Sequence, residues 1–227
     1  VTLLPKIKPV PAEPARRLLD FRPVFVNRPA MGFVLGYGVH CGELFTLRSW
    51  LVAFLAFSLA LTGGIAPTGN GWVSPTNVGM LSGLVAVAAS IGGNELCLRF
   101  GRVRTISVVM IASAVAAAGI GFTAPLTYGV VVVIALAYSA LVQLDSAALI
   151  AGALGAAEAG RQGATMAVLA FTGFSAAAIS PIIFGAVLDA TGGGTTAVSW
   201  GVAFAAVAAF GLFGPLSLRL AARKAAS

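Results

Sequence analysis

Six times along this chain an apolar run of roughly 20 residues or more recurs, the length a bilayer-spanning helix needs. The runs cover about residues 31–61, 75–98, 105–122, 126–154, 164–188 and 197–218. No other feature restricts the fold as tightly. Within lipid, a backbone satisfies its own polar groups only as a helix or a closed barrel. The fourth run is rich in β-branched residues between Val130 and Ile134, but it is too long and too uniformly apolar for a barrel strand. The sequence therefore predicts an all-α membrane protein with six transmembrane helices. Composition agrees: 59% of residues are hydrophobic and only 9% are charged, against about 25% charged in soluble domains. A cleaved signal peptide does not explain repeated runs of this kind.

Charge gives the topology. Residues 1–30 form a basic linker containing Pro5, Pro9, Pro11, Pro14, Pro23 and Pro29, a density that predicts largely irregular backbone with a short interfacial turn near Arg16–Phe21. If the six spans alternate, this linker, the loops after spans two and four, and the C-terminal tail (223–227) share one side. Every Lys and Arg of the chain except Arg48 lies in those segments or at their edges, and the three opposite loops hold none. By the positive-inside rule both termini are cytoplasmic. The formal charge of +7 thus reads as a topology signal and not as a nucleic-acid surface. The uncharged loop from Gly63 to Gly71 leads to Trp72, which suits an interfacial anchor.

Arg48 points to the stretch of greatest chemical interest. Gly36 to Trp50 places His40, Glu43 and Arg48 inside the first apolar run. Ionisable groups at bilayer depth are costly and mark substrate or proton pathways. His40 and Glu43 are three residues apart and share a helix face. Arg48 lies about 80° around the helix from His40 and about 140° from Glu43, so it is expected to meet a group on another helix. Asp145, beside Gln143 in the fourth run, is the best candidate. A carboxylate and a histidine placed in this way can carry protons. A charge pair that holds two helices in register is the competing role. A second parse starts span one near Ser49 and leaves residues 31–47 on the membrane surface.

Other signals are plainer. Small residues at four-residue spacing (Gly32 with Gly36, Gly38 with Gly42, Gly173 with Ala177) allow close helix packing. Pro181 with Gly185, together with Gly173, marks a kink or hinge in span five. Cys41 and Cys97 have neither disulfide-framework nor metal-ligand spacing. No phosphate loop, zinc helix or G-x-S-x-G elbow is present, no catalytic or metal-ligating set is expected, and the chain is not read as an enzyme. Gly173-Phe174-Ser175-Ala176 has the look of an intramembrane serine protease, yet the one histidine of the chain, His40, precedes it.

The segment Asn94-Glu95-Leu96-Cys97-Leu98-Arg99-Phe100-Gly101-Arg102-Val103-Arg104 resembles the basic loop motif of the major facilitator superfamily. Glu95, Arg99, Gly101, Arg102 and Arg104 follow the pattern, with the acidic position displaced to Glu95. Arg161 to Met166, followed by Gly173-Phe174 through Asp189, looks like the eleventh helix of such transporters, and Ser49-Trp50-Leu51 looks like the seventh. The resemblance covers the chain as the C-terminal six-helix half of that fold. It implies two inverted three-helix repeats, a cytoplasmic gating loop at Glu95–Arg104, and first and fourth spans that line a central cavity.

The expected function is secondary active transport of a small solute across the inner membrane by alternating access. His40, Glu43, Arg48, Gln143 and Asp145 would lie on the substrate and proton pathway, with a proton as the coupling ion and no other cofactor. The expected partners are the lipid bilayer, a small-molecule substrate, and a missing N-terminal half or second copy that completes the pathway. The first residue is Val, which fits a fragment, a processed chain or an alternative start codon. A non-transporting remnant or membrane interaction subunit is the alternative. A channel is disfavoured, because no filter-like loop or charged ring is visible.

Overall fold

The computed structural model describes residues 20–63 and 73–222. Most of the basic linker, the turn region up to residue 19, Trp72 and the tail from 223 onward lie outside the described residues. Among the described residues the chain is all-helical, and six helices are long and apolar enough to cross a membrane.

The linker ends sooner than the proline density suggested. A short helix, α1 (Arg22–Val26), precedes α2 (Arg28–Leu61). Pro23 and Pro29 both occupy first-turn positions, where the missing N–H costs nothing. Asn27 sits between the two helices. Its side chain accepts from the Ala30 N–H at 3.2 Å and donates to the Ala156 carbonyl at 2.8 Å. The end of the linker is thereby tied to the loop after span four, where Arg161 also donates to the Asp20 carbonyl at 2.9 Å.

The first span is one unbroken helix. At 34 residues α2 is about 51 Å long, with no break near Ser49 to separate residues 31–47 from the rest of the span. The second span is α3 (Pro75–Phe100), started by Ser74, whose hydroxyl accepts from the Asn77 N–H at 3.2 Å. Gly101 stops it with φ +89°, a conformation that favours glycine. The third span, α4 (Arg102–Ile120), closes in a short 3-10 turn at Gly121–Thr123.

The fourth and sixth spans are interrupted, which sequence reading did not foresee. The fourth divides into α5 (Tyr128–Gln143) and α6 (Ser146–Ala156), with Leu144 and Asp145 between them. The fifth, α7 (Gln162–Ala190), continues through Pro181. The sixth divides at Leu212 into α8 (Ala197–Gly211) and α9 (Phe213–Ala222). Pro215 accounts for that second interruption, since it brings no N–H for the Gly211 carbonyl and its ring crowds the same turn.

Packing centres on α2, which lies chiefly against α7 and α9 and also meets α6 and α5. The fourth span leans on α3 through α5, and α4 packs along α8. Two clusters of buried side chains result. One gathers Leu51, Phe54, Tyr138, Phe184, Trp200 and Phe204 toward the Leu61 end of α2. The other gathers Phe33, Val34, Ile106, Leu149, Leu169 and Leu218 toward the Arg28 end. The outer faces of α3 and α7 are apolar and open: Leu84 is 71% exposed and Phe171 75%. Such faces suit contact with lipid or with other apolar helices.

Candidate functional site

Buried polar side chains meet between the two clusters. Glu43, on α2, is only 4% exposed. Its Oε1 accepts from the Ser113 hydroxyl of α4 at 2.6 Å and from the Tyr138 hydroxyl of α5 at 3.0 Å. Three spans therefore converge on one carboxylate oxygen. Ser113 lies close to the middle of the third span, about 17 Å along the helix from Arg102 and about 15 Å from Thr123. Glu43 is thus held near mid-depth.

One helical turn toward the Arg28 end, His40 Nδ1 lies 2.7 Å from Asp145 Oδ1, with both residues buried. The contact is close but off the line of a well-aligned hydrogen bond. A carboxylate only accepts, so an attractive contact requires the proton on Nδ1. Tyr37 stacks on the imidazole at 5.8 Å between ring centroids. The backbone carbonyl of Val142 also lies within hydrogen-bonding reach of His40. That carbonyl belongs to the last turn of α5, where helix carbonyls lack intrahelical partners.

The interruption of the fourth span is therefore part of the site. It turns Asp145 toward His40 and frees backbone groups that a side chain then meets. Gly93 of α3 makes the interruption possible from the other side. A Cβ there would collide with the Leu144 carbonyl, so only glycine lets the two backbones approach.

The sequence-predicted residues separate into two groups. His40, Glu43 and Asp145 come together, with Asp145 meeting His40 and not the Arg48 for which it was expected. Gln143 lies beside the interruption with a buried Oε1 that finds no partner. Arg48 does not pair with Asp145, contrary to expectation, because His40 takes that carboxylate. Arg48 is instead exposed on the opposite side of α2, with its guanidinium carbon 6.0 Å from the Phe45 ring centroid. The angular offset that separates it from Glu43 carries it out of the bundle.

Glu95, Arg99, Gly101, Arg102 and Arg104 lie around the turn between α3 and α4, and Arg99 sits over the Phe100 ring at 5.3 Å. The three positions singled out in span five all serve contacts with α2. Gly173 makes room for Tyr37 and Cys41, Gly185 makes room for Trp50, and the Pro181 carbonyl accepts from the Trp50 indole N–H at 3.1 Å.

Ser113 and Tyr138 were missed by sequence reading. A tyrosine inside an apolar span was the available signal, because a phenol buried away from water needs a partner for its hydroxyl. Among the described residues no group of His, Cys, Asp and Glu has the arrangement of a metal site. Comparison with protein-family models, curated proteins and solved structures returns no match.

Proposed function

We propose that this chain is one six-helix half of a secondary transporter that moves a small solute by alternating access, with proton coupling through Glu43. The observation that carries the reading is the buried carboxylate at mid-depth, held by hydroxyls from two other spans. An ionisable group kept dry at that depth is expensive, and proton relays are a use that repays the expense. Ser113 and Tyr138 donate to the ionised form. Protonation on Oε2 leaves Oε1 able to accept, but it removes the charge that strengthens both contacts and adds a donor that needs a partner of its own. Coupling of protonation to helix movement follows from that weakening of the three-span contact.

The packing pattern supports the inverted-repeat arrangement of the major facilitator fold. Exchanging the first three spans for the last three converts each main contact into another one observed. The pairing of α2 with α7 (first with fifth) corresponds to that of α5 with α3 (fourth with second). The pairing of α2 with α9 (first with sixth) corresponds to that of α5 with α4 (fourth with third), and the pairing of α4 with α8 (third with sixth) corresponds to itself. Gly173 leaning on α2 and Gly93 leaning on the fourth span follow the same exchange. On this reading the open faces of α3 and α7 receive the other half of the transporter or a second copy, and both termini are cytoplasmic.

The test is flux in membrane vesicles carrying the full assembly, with and without an imposed pH gradient. Glu43→Gln preserves the shape of the side chain and removes the proton site. The expected result is that pH-driven accumulation is lost while downhill exchange persists. Unchanged gradient-driven accumulation in Glu43→Gln would sink the coupling role.

A further inference from the structure

We propose that Arg48 and the exposed half-face of α2 around it form a water-filled anion site, which assigns the transported solute to small organic anions bearing a carboxylate or phosphate. The proposal rests on the transport reading above and adds the substrate class. Three observations carry it.

Depth is the first. Arg48 lies about 20 Å along α2 from Leu61, and Ser58 near that end donates to the Ala124 carbonyl just beyond the third span at 2.9 Å. The guanidinium therefore starts well inside the bilayer, one to two turns from the level of Glu43. The second is direction. Arg48 is exposed, and among the described residues it has no hydrogen bond or ion pair, only the Phe45 ring. Arginine at this depth faces a bundle interior or water, not hydrocarbon.

The third observation is the shape of the surroundings. Between Gly36 and Leu47 no residue of α2 is exposed; from Arg48 onward the helix is open on one side, exposing Ser49, Val52, Ala53 and Ala56. This face is bounded by α3, where Val52 meets Gly79, and by α7, where Trp50 meets Gly185. Beside this face, between α2 and α7, lies an open groove of about 640 Å³, lined by Ser49, Ala53 and Pro181 among others; Asp189 is the one charged residue of that lining, and Arg48 stands outside it. The face is a trough between two flanking helices. A second bundle seated on α3 and α7 would roof it without filling it. A guanidinium in such a trough presents five donors in a planar fork matched to carboxylate and phosphate oxygens. On α2 itself the buried ionisable groups His40 and Glu43 are engaged, the first with Asp145 and the second with Ser113 and Tyr138. Arg48 is the basic group left over for a ligand, with Asp189 on the α7 side of the neighbouring groove.

The experiment is thiol modification at Ser49→Cys in membranes carrying the full chain, using two membrane-impermeant methanethiosulfonates, one anionic and one cationic. Both native cysteines are 3% exposed, so the unaltered chain supplies the background. Val108→Cys, on the outer face of α4, supplies a lipid-facing reference. The thiol of the Ser49→Cys chain should react with both reagents, and that of the Val108→Cys chain with neither. Arg48→Gln should lower the anionic-to-cationic rate ratio about ten-fold or more, the order expected for a unit charge within roughly 8 Å in partly hydrated surroundings. Arg48→Lys should retain most of the ratio, which guards against a folding defect. If the Ser49→Cys chain is no more reactive than the reference, the trough is dry and the proposal falls. If the ratio is indifferent to Arg48→Gln, a carboxylate of the covering bundle already neutralises the guanidinium, and the anion site falls again. Both failures leave Glu43-dependent flux untouched, so they are distinguishable from failure of the transport reading.

Discussion

Two layers stacked along α2 are built on different physics. Between Gly36 and Thr46 the helix presents His40 and Glu43 to oxygen atoms from three other segments, at distances of 2.6–3.0 Å. Between Trp50 and Ser58 it presents Trp50, Phe54 and Phe57 to Phe184, Trp200 and Phe204. There ring centroids lie 4.9–6.4 Å apart, and edge-on and tilted contacts outnumber stacked ones. The aromatic layer depends on shape and dispersion, which no proton alters. The polar layer depends on hydrogen bonds strengthened by charge, which one proton can weaken. One helix thus joins a layer indifferent to pH to a layer that responds to it. Movement triggered in the polar layer would be transmitted along a rigid rod to the aromatic one.

The largest expected effect breaks the polar layer without touching a polar group. Gly93→Leu forces a side chain into the Leu144 carbonyl, separates α3 from the interruption and moves Asp145 away from His40. The altered chain should fail to give a monodisperse species on size-exclusion chromatography in detergent. Gly83, where an added Cβ meets open space, supplies the contrast, and Gly83→Leu should remain monodisperse.

Next in size is Phe204→Ala in the aromatic layer. Removing a fully buried ring costs about 3–5 kcal/mol in well-packed cores. The loss should be the same at pH 5 and pH 8 when followed by thermal unfolding in detergent. A strongly pH-dependent loss would show that the two layers are not separable in this way.

A smaller effect sharpens the polar side. His40→Asn and Asp145→Asn should each destabilise, since removing one partner strands the other. The double change should cost less than the sum of the single changes. The coupling expected from a thermodynamic cycle is about 1–3 kcal/mol. Additive losses would mean that the 2.7 Å contact carries no energy.

Much of the architecture was open to reading because lipid enforces it. Six runs of sufficient length and one-sided positive charge leave few alternatives, and the span limits agree with the observed helices to within about four residues at either end. The interruptions were less accessible for different reasons. Pro215 announced the division at Leu212 and was there to be used. Nothing local announces the division at Leu144, because Val142-Gln143-Leu144-Asp145 contains no glycine or proline. Its cause is tertiary, in the Gly93 approach and the His40 contact. The site was readable as a set of unusual residues but not as a set of partners. Helical angles could separate Arg48 from Glu43, yet they could not say which span would bring a carboxylate to His40. Hydroxyls such as Ser113 carry no charge and therefore stand out least in an apolar run.

The division of the fourth span has one more consequence. Two helices end where one would have continued, and each end carries the partial charge of its aligned peptide dipoles. The carboxyl end of α5, at Gln143, offers its negative pole to the His40 ring. The amino end of α6, at Ser146, offers its positive pole to the Asp145 carboxylate that precedes it. The buried His40–Asp145 contact is thereby flanked by two macrodipoles in the sense that suits an imidazole proton donor and a carboxylate. The backbone itself supplies part of the solvation that the bilayer withholds.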